Sequence, residues 1–199
     1  NGEMFGEEYT LVAVADYVLK HTPGNTVSNL SSSRALKDVT EAYGQQYHAA
    51  AVGEVNVVAE MKRTHSVIGG EGNGGVIYPE SHYGRDALVG VGLFLSHYVA
   101  QSKKMTELKS TYPPYFISKN KLTLSPDMDV DKILEGLKKK YASEEITDID
   151  GVKIDFKDGW VHLRKSNTEP IIRIYSESKD ESAANQLAED VIKVAKSLY

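Results

Sequence analysis

Two short polar stretches carry the side chains with which this 199-residue chain could do chemistry. The first is RKSNTEPIIRIY, residues 164–175, in which Arg164, Lys165, Ser166, Asn167, Thr168 and Glu169 stand between two strand-like runs, GWVHL and IIRIY. A hairpin turn needs only two to five residues, usually Gly, Asn or Asp, so this cluster asks for another explanation. Arginine presents a planar fork of donors that matches phosphate oxygens. Ser166 and Thr168 add hydroxyls and Asn167 an amide, and a tight loop can turn backbone N–H groups inward around an anion. A phosphate monoester is close to a dianion at neutral pH, with three acceptor oxygens. Charge-assisted bonds to it contribute roughly 1.5–3 kcal/mol each. A second reading fits the same residues: a surface hairpin whose Ser, Asn and Thr side chains bond their own backbone. Neither a helix start nor a GxxxxGK[ST] pattern accompanies them.

The other stretch is GGEGNGG, residues 69–75, with five glycines in seven positions. Glycine admits backbone conformations that side chains forbid. Only Glu71 and Asn73 carry side chains here, and in an extended loop both would point the same way. A carboxylate accepts hydrogen bonds and an amide both donates and accepts, which suits the vicinal hydroxyls of a sugar. A flexible connector is the competing reading. A strand-like VIYP follows, so this is not a dinucleotide-binding loop opening a helix.

These loops need elements to hold them. YTLVAVADYVLK predicts a helix with Leu11, Val12, Ala15, Val18 and Leu19 on one face. TVSNL, YHAAAV and SVIGG read as buried strands. Between them lie a helix in SSSRALKDVTEAYG, with serines to cap it and Gly44 to end it, and another over residues 55–65. This alternation implies a layered α/β domain whose sheet is largely parallel. A long helix over residues 85–102 follows, with Leu88, Val91, Leu95, Tyr98 and Val99 as its apolar stripe; Arg85-Asp86 starts it. Gly90 and Gly92 weaken it by about 1 kcal/mol each unless tight packing compensates. The polar SKKMTELKSTYPPY, where Pro113-Pro114 can neither continue a helix nor supply ladder bonds, marks a boundary between residues 1–112 and 113–199. Beyond it come a strand in KLTLS, a helix over residues 130–141, a meander turning at Asp150-Gly151 and Asp158-Gly159, and a last amphipathic helix. That is a small α+β domain, an antiparallel sheet covered by helices.

The composition is that of an ordinary globular protein, 41% hydrophobic and 26% charged. A net charge of −5 argues against nucleic-acid binding, which usually needs a basic face. No cysteine is present, so disulfides and thiolate metal sites are excluded and a reducing compartment fits. No apolar run approaches membrane-spanning length. The six histidines show no metal-ligand spacing. The opening NGEMFGEEYT has neither the basic region nor the apolar core of a signal peptide; it reads as the interior of a longer protein, just after a strand turn.

GGEGNGG ahead of a long helix, with RKSNTEPIIRIY near the C-terminus, resembles the α-D-phosphohexomutases: the phosphoglucomutases, phosphomannomutases and phosphoglucosamine mutases. The resemblance covers essentially the whole chain. It implies that residues 1–112 are the third of four family domains, with 1–8 a remnant of the preceding junction, and 113–199 the fourth. It implies that Glu71, Asn73 and Glu54 face the sugar of a hexose phosphate. Arg164, Ser166, Asn167 and Thr168 would hold the phosphate that is not being transferred. Glu54 also reads as a carboxylate favoured by a helix N-terminus, and Arg173 as a structural partner for Glu169. The resemblance further implies a cytoplasmic parent whose missing N-terminal domains supply a phosphoserine and a Mg²⁺ site, with a glucose 1,6-bisphosphate-like activator. This chain alone would then be inactive. The alternative is a free-standing sugar-phosphate-binding module without catalysis.

Overall fold

A computed structural model describes residues 2–125, 128–166 and 168–198. They fall into two compact units, Asn1–Pro114 and Tyr115–Tyr199, divided after the proline pair. No helix among the described residues is long and apolar enough to cross a membrane.

The first unit runs α1 (Glu7–His21), β1 (Thr26–Asn29), α2 (Ala35–Ala42), β2 (Tyr47–Ala50), α3 (Glu54–Thr64), β3 (Ile68–Glu71), β4 (Gly75–Ile77), α4 (Ala87–Gln101) and α5 (Met105–Lys109). Its sheet has the order β2-β1-β3-β4. β1, β2 and β3 are parallel, and β4 runs antiparallel to β3. Successive strand residues face opposite ways: a Cβ on Gly69 would meet Met61 of α3, and one on Gly70 would meet Leu11 of α1. Helices therefore cover both faces, and the α/β expectation with a mixed, largely parallel sheet is met. Parallel strands covered in this way are buried throughout, as β1 and β3 are.

Two helices differ from the sequence reading. α1 buries Ala13 and Val14 as fully as its expected stripe, because α2, α4 and β3 all pack on it. α4 does the reverse. Leu88 is 84% exposed and Val99 73%, with Val91 and Leu95 also exposed. It packs by its other side, where Gly90 fits against Val76, Phe94 meets Phe5 edge-on and His97 is buried. Close packing thus accounts for Gly90 but not for Gly92, which has open space above it.

His97 belongs to a buried polar cluster. Its Nε2 lies 2.8 Å from the Tyr112 hydroxyl and 3.3 Å from Asp16 Oδ2. Tyr112 and Tyr43 each donate a hydrogen bond to Asp16, at 3.0 and 2.6 Å. Burial holds His97 below the usual histidine range against the opposing pull of Asp16. Burial also pushes both tyrosine hydroxyls up, with Asp16 adding to it. Nearby, the Tyr9 hydroxyl donates to the Pro113 carbonyl at 2.6 Å.

The second unit runs β5 (Phe116–Thr123), α6 (Val130–Lys140), β6 (Glu145–Thr147), β7 (Val152–Phe156), β8 (Gly159–Lys165), β9 (Ile171–Ser178) and α7 (Glu181–Lys196). Its five strands are antiparallel in the order β5-β9-β8-β7-β6. Alternate residues Val152, Ile154, Val161, Leu163, Ile172 and Ile174 face Ile133 and Leu137 of α6 and Val191 and Ala195 of α7. The expected α+β domain is therefore present. Asp129 caps α6 and Asp180 caps α7, each accepting hydrogen bonds from first-turn N–H groups.

Candidate functional site

Because β1, β2 and β3 are parallel, their last residues, Asn29, Ala50 and Glu71, reach one edge of the sheet. The chain steps from β1 to β2 on one side and then to β3 on the other, so the strand order reverses between β1 and β3. Ligands of open α/β sheets bind at the carboxyl ends of the strands, at such a reversal.

The edge is polar there. Glu71 is only 5% exposed. The Asn29 side-chain amide donates to its Oε1 at 3.0 Å, and Arg85 Nη1 lies 3.2 Å from its Oε2. Arg85 also reaches Glu54, donating from Nε to Oε2 at 2.7 Å and from its backbone N–H to Oε1 at 3.2 Å. The Arg85 guanidinium holds the Glu54 carboxyl below the usual range. Ser32 Oγ accepts from the Gly72 N–H at 2.9 Å, and Glu8 Oε2 accepts from the Ser33 N–H at 2.9 Å.

The glycine loop is not extended. Glu71 pairs with Gly75 across a hairpin, and Gly74 takes φ 84°, a left-handed value that favours glycine. Asn73 Oδ1 accepts the Gly75 N–H at 3.1 Å and stabilises its own turn. Glu71 is therefore buried in the strand while Asn73 stands exposed at the tip, and the expectation that they point together fails. Glu54 opens α3, so its helix-terminal role and its place at the strand edge coexist.

In the second unit Arg164 lies near the end of β8, directly opposite Arg173 on β9, and Lys121 on β5 lies opposite Arg173 in turn. Directly paired residues share a face, so three cations stand in a row across three strands. Glu169 bonds Arg173 at 2.8 Å, as the sequence reading anticipated. Arg164 Nε is buried and has no hydrogen-bond partner among the described residues. Ser166 is buried, its N–H closing the hairpin on the Ile171 carbonyl at 3.0 Å, while Thr168 is exposed. Asn167 lies outside the described residues.

Residues 6–115 match the family model described as phosphoglucomutase/phosphomannomutase, alpha/beta/alpha domain III, and residues 121–194 match the phosphoglucomutase/phosphomannomutase C-terminal domain. The chain belongs to the phosphoglucomutase/phosphomannomutase family. It is 36% identical over 197 residues to a phosphoglucomutase/phosphomannomutase of Thermococcus kodakarensis, covering 98% of this chain and 43% of that protein. It is 35% identical over 170 residues to a phosphoglucosamine/phosphogalactosamine mutase of Sulfurisphaera tokodaii, covering 84% and 37%. The chain thus spans less than half the length of these curated relatives. Its fold matches a phosphoglucomutase/phosphomannomutase family protein of Burkholderia thailandensis with a TM-score of 0.81 at 23% identity, covering 99% of this chain and 43% of that one.

For a phosphoglucomutase/phosphomannomutase family chain, the residue least expected from the sequence is Arg85. Read as a helix start, it is the hub between Glu54 and Glu71. One signal was present: a cation just before a helix N-terminus faces the positive end of the dipole, and so calls for nearby carboxylates. Asn29 and Lys121 carried no local signal, since register alone brings them to the two sites. Among the described residues no group of three or more His, Asp or Glu side chains converges to hold a metal ion.

Proposed function

We propose that this chain is the substrate-holding part of a phosphohexose mutase. In this reading Glu71, with Asn73 and Glu54, accepts and orients sugar hydroxyls. Arg164, Ser166, Asn167 and Thr168 hold the phosphate already on the sugar. The full-length protein, whose N-terminal domains carry a phosphoserine and a Mg²⁺ site, passes the serine's phosphoryl group to the free hydroxyl. The resulting hexose bisphosphate turns over and returns its other phosphate to the serine, interconverting 1- and 6-phosphates. Transfer of this kind depends on positioning and charge neutralisation, and the two loops contribute the positioning.

The observation that carries the reading is Arg164: a guanidinium whose buried Nε has no hydrogen-bond partner among the described residues, opposite a second arginine across the ladder. Buried donors are nearly always satisfied, and like charges opposed across strands repel. An anion at that spot relieves both conditions.

Calorimetric titration of the chain with glucose 1-phosphate, inorganic phosphate and glucose tests it. Glucose 1-phosphate should bind best, and Glu71→Ala should lower its affinity to that of inorganic phosphate without altering phosphate binding. Equal binding of glucose 1-phosphate and glucose would refute the phosphate site. In a coupled assay for glucose 6-phosphate the chain should show no turnover, whereas the full-length protein should. Absence of turnover by the full-length protein on glucose, mannose and glucosamine phosphates would leave a binding module.

A further inference from the structure

We infer that Arg85 is a positioning residue that sets the orientation of the Glu71 carboxylate toward the sugar, and that Gly75 exists to seat it. This rests on the function proposed above. A carboxylate that reads vicinal hydroxyls must be held at a fixed rotation, because each oxygen has to keep a free lone pair aimed at the ligand. Asn29 takes one position on Oε1 and Arg85 one on Oε2, at 3.0 and 3.2 Å. With both oxygens tied, the plane of the carboxylate cannot turn, and each oxygen retains acceptor capacity.

Arg85 is itself immobilised. Its backbone bridges Ile77, the last residue of β4, and the next residue, Asp86, donates its N–H to the Val76 carbonyl at 2.9 Å. Asp86 also caps α4, its Oδ1 accepting the Val89 N–H at 3.0 Å. The side chain is gripped at Nε by Glu54 at 2.7 Å. Its stem then runs over Gly75: a Cβ there would lie 2.6 Å from Arg85 Cδ. Gly75 does not have a positive φ, so its backbone tolerates alanine and its lack of a side chain serves the space above it. Gly75 also pairs with Glu71 across the hairpin, so the residue that makes room for the arginine stands beside the carboxylate the arginine holds. Glu54 then acts by fixing Arg85 as much as by facing a ligand. A fork is needed to bridge two carboxylates through different nitrogens, which an ammonium cannot reproduce.

The test compares Arg85→Ala, Arg85→Lys and Gly75→Ala with the unaltered protein, titrating glucose 1-phosphate and inorganic phosphate and recording thermal melts. Arg85→Ala should weaken glucose 1-phosphate binding at least 10-fold and leave inorganic phosphate unchanged. Gly75→Ala, which touches no charge, should give the same selective loss by displacing the stem. Arg85→Lys should recover part of it. A merely structural staple between α3 and α4 would lower the melting temperature and weaken both ligands together, or neither, and either pattern overturns the inference. An unaltered protein that binds glucose 1-phosphate no better than phosphate refutes the proposed sugar site, and this inference with it. If the preference exists and both Arg85→Ala and Gly75→Ala retain it, only the inference falls.

Discussion

Replacing Arg164 by methionine should make the second unit more stable while removing its affinity for anions. The replacement keeps most of the stem and deletes the guanidinium. Arg164 and Arg173 are directly opposed on β8 and β9, and such like-charge pairs cost about 0.2–1 kcal/mol. The buried Nε has no partner among the described residues, and an unsatisfied buried polar group costs about 1–3 kcal/mol. Lost van der Waals contacts and imperfect packing of the thioether take back part of this gain. A net stabilisation of about 1 kcal/mol is expected, corresponding to a rise of about 4–8 °C in melting temperature for a unit of this size. Binding moves the other way. Two charge-assisted hydrogen bonds from the fork contribute roughly 3–6 kcal/mol, so phosphate and glucose 1-phosphate affinity should fall at least about 100-fold. Thermal melts with and without saturating phosphate read both effects: the midpoint without phosphate rises and the increment due to phosphate disappears. A variant that melts lower and keeps its phosphate increment would show that Arg164 is a packing residue and refute the anion site.

Two further outcomes follow from buried groups away from the loops. Burial lowers the His162 pKa from 6.5 to about 4. The folded state thus favours the neutral ring, so this contribution is complete above pH 6.5 and is lost as pH falls toward 4. The shift corresponds to about 3 kcal/mol. His162→Gln, which retains a donor for the Asp150 carbonyl, should lose less stability than the unaltered protein between pH 7 and pH 4.5 in denaturant melts; parallel curves would contradict this. Tyr112→Phe removes the hydroxyl that links Asp16 and buried His97, and should cost about 1–3 kcal/mol, read as a lower melting temperature of the first unit with phosphate affinity unchanged.

The layers of both units were legible from short apolar runs and their punctuation. TVSNL, YHAAAV and SVIGG became β1, β2 and β3 with boundaries close to those read, because glycines at 24, 44 and 53 punctuate the runs between them. The face of α4 was not legible. Its apolar residues encircle much of the helix, and the buried side was chosen by Gly90 and His97, one too small and the other too polar to mark a stripe. The candidate site divides similarly. Glu71 and Arg164 stood out because a charge among glycines, or amid hydroxyls, has no ordinary turn function. Arg85 did not, since its meaning lies in Glu54, 31 positions earlier, and in the space over Gly75. Asn73 was misdirected for a local reason: an amide two residues before a free N–H folds back on it in preference to extending beside its neighbour.

The hydrogen bond from Tyr9 to the Pro113 carbonyl joins positions 104 residues apart, and Lys109 reaches back to the Met4 carbonyl at 3.3 Å. The chain therefore enters and leaves the first unit at one spot. A module with adjoining ends is a cassette. It can be spliced into a surface loop of another protein, or circularly permuted by joining those ends and cutting at the exposed Gly44 turn. The entropy of closing the new connection is small because the fold already holds its ends together. The cut leaves every strand whole: β2, β3 and β4 lie on one side of it, and β1 pairs with β2 and β3 from the other, so the β2-β1-β3-β4 sheet can still form. In such a permutant Asn29 and Glu71 would still meet at the strand edge, and the unit proposed to read the sugar would be portable.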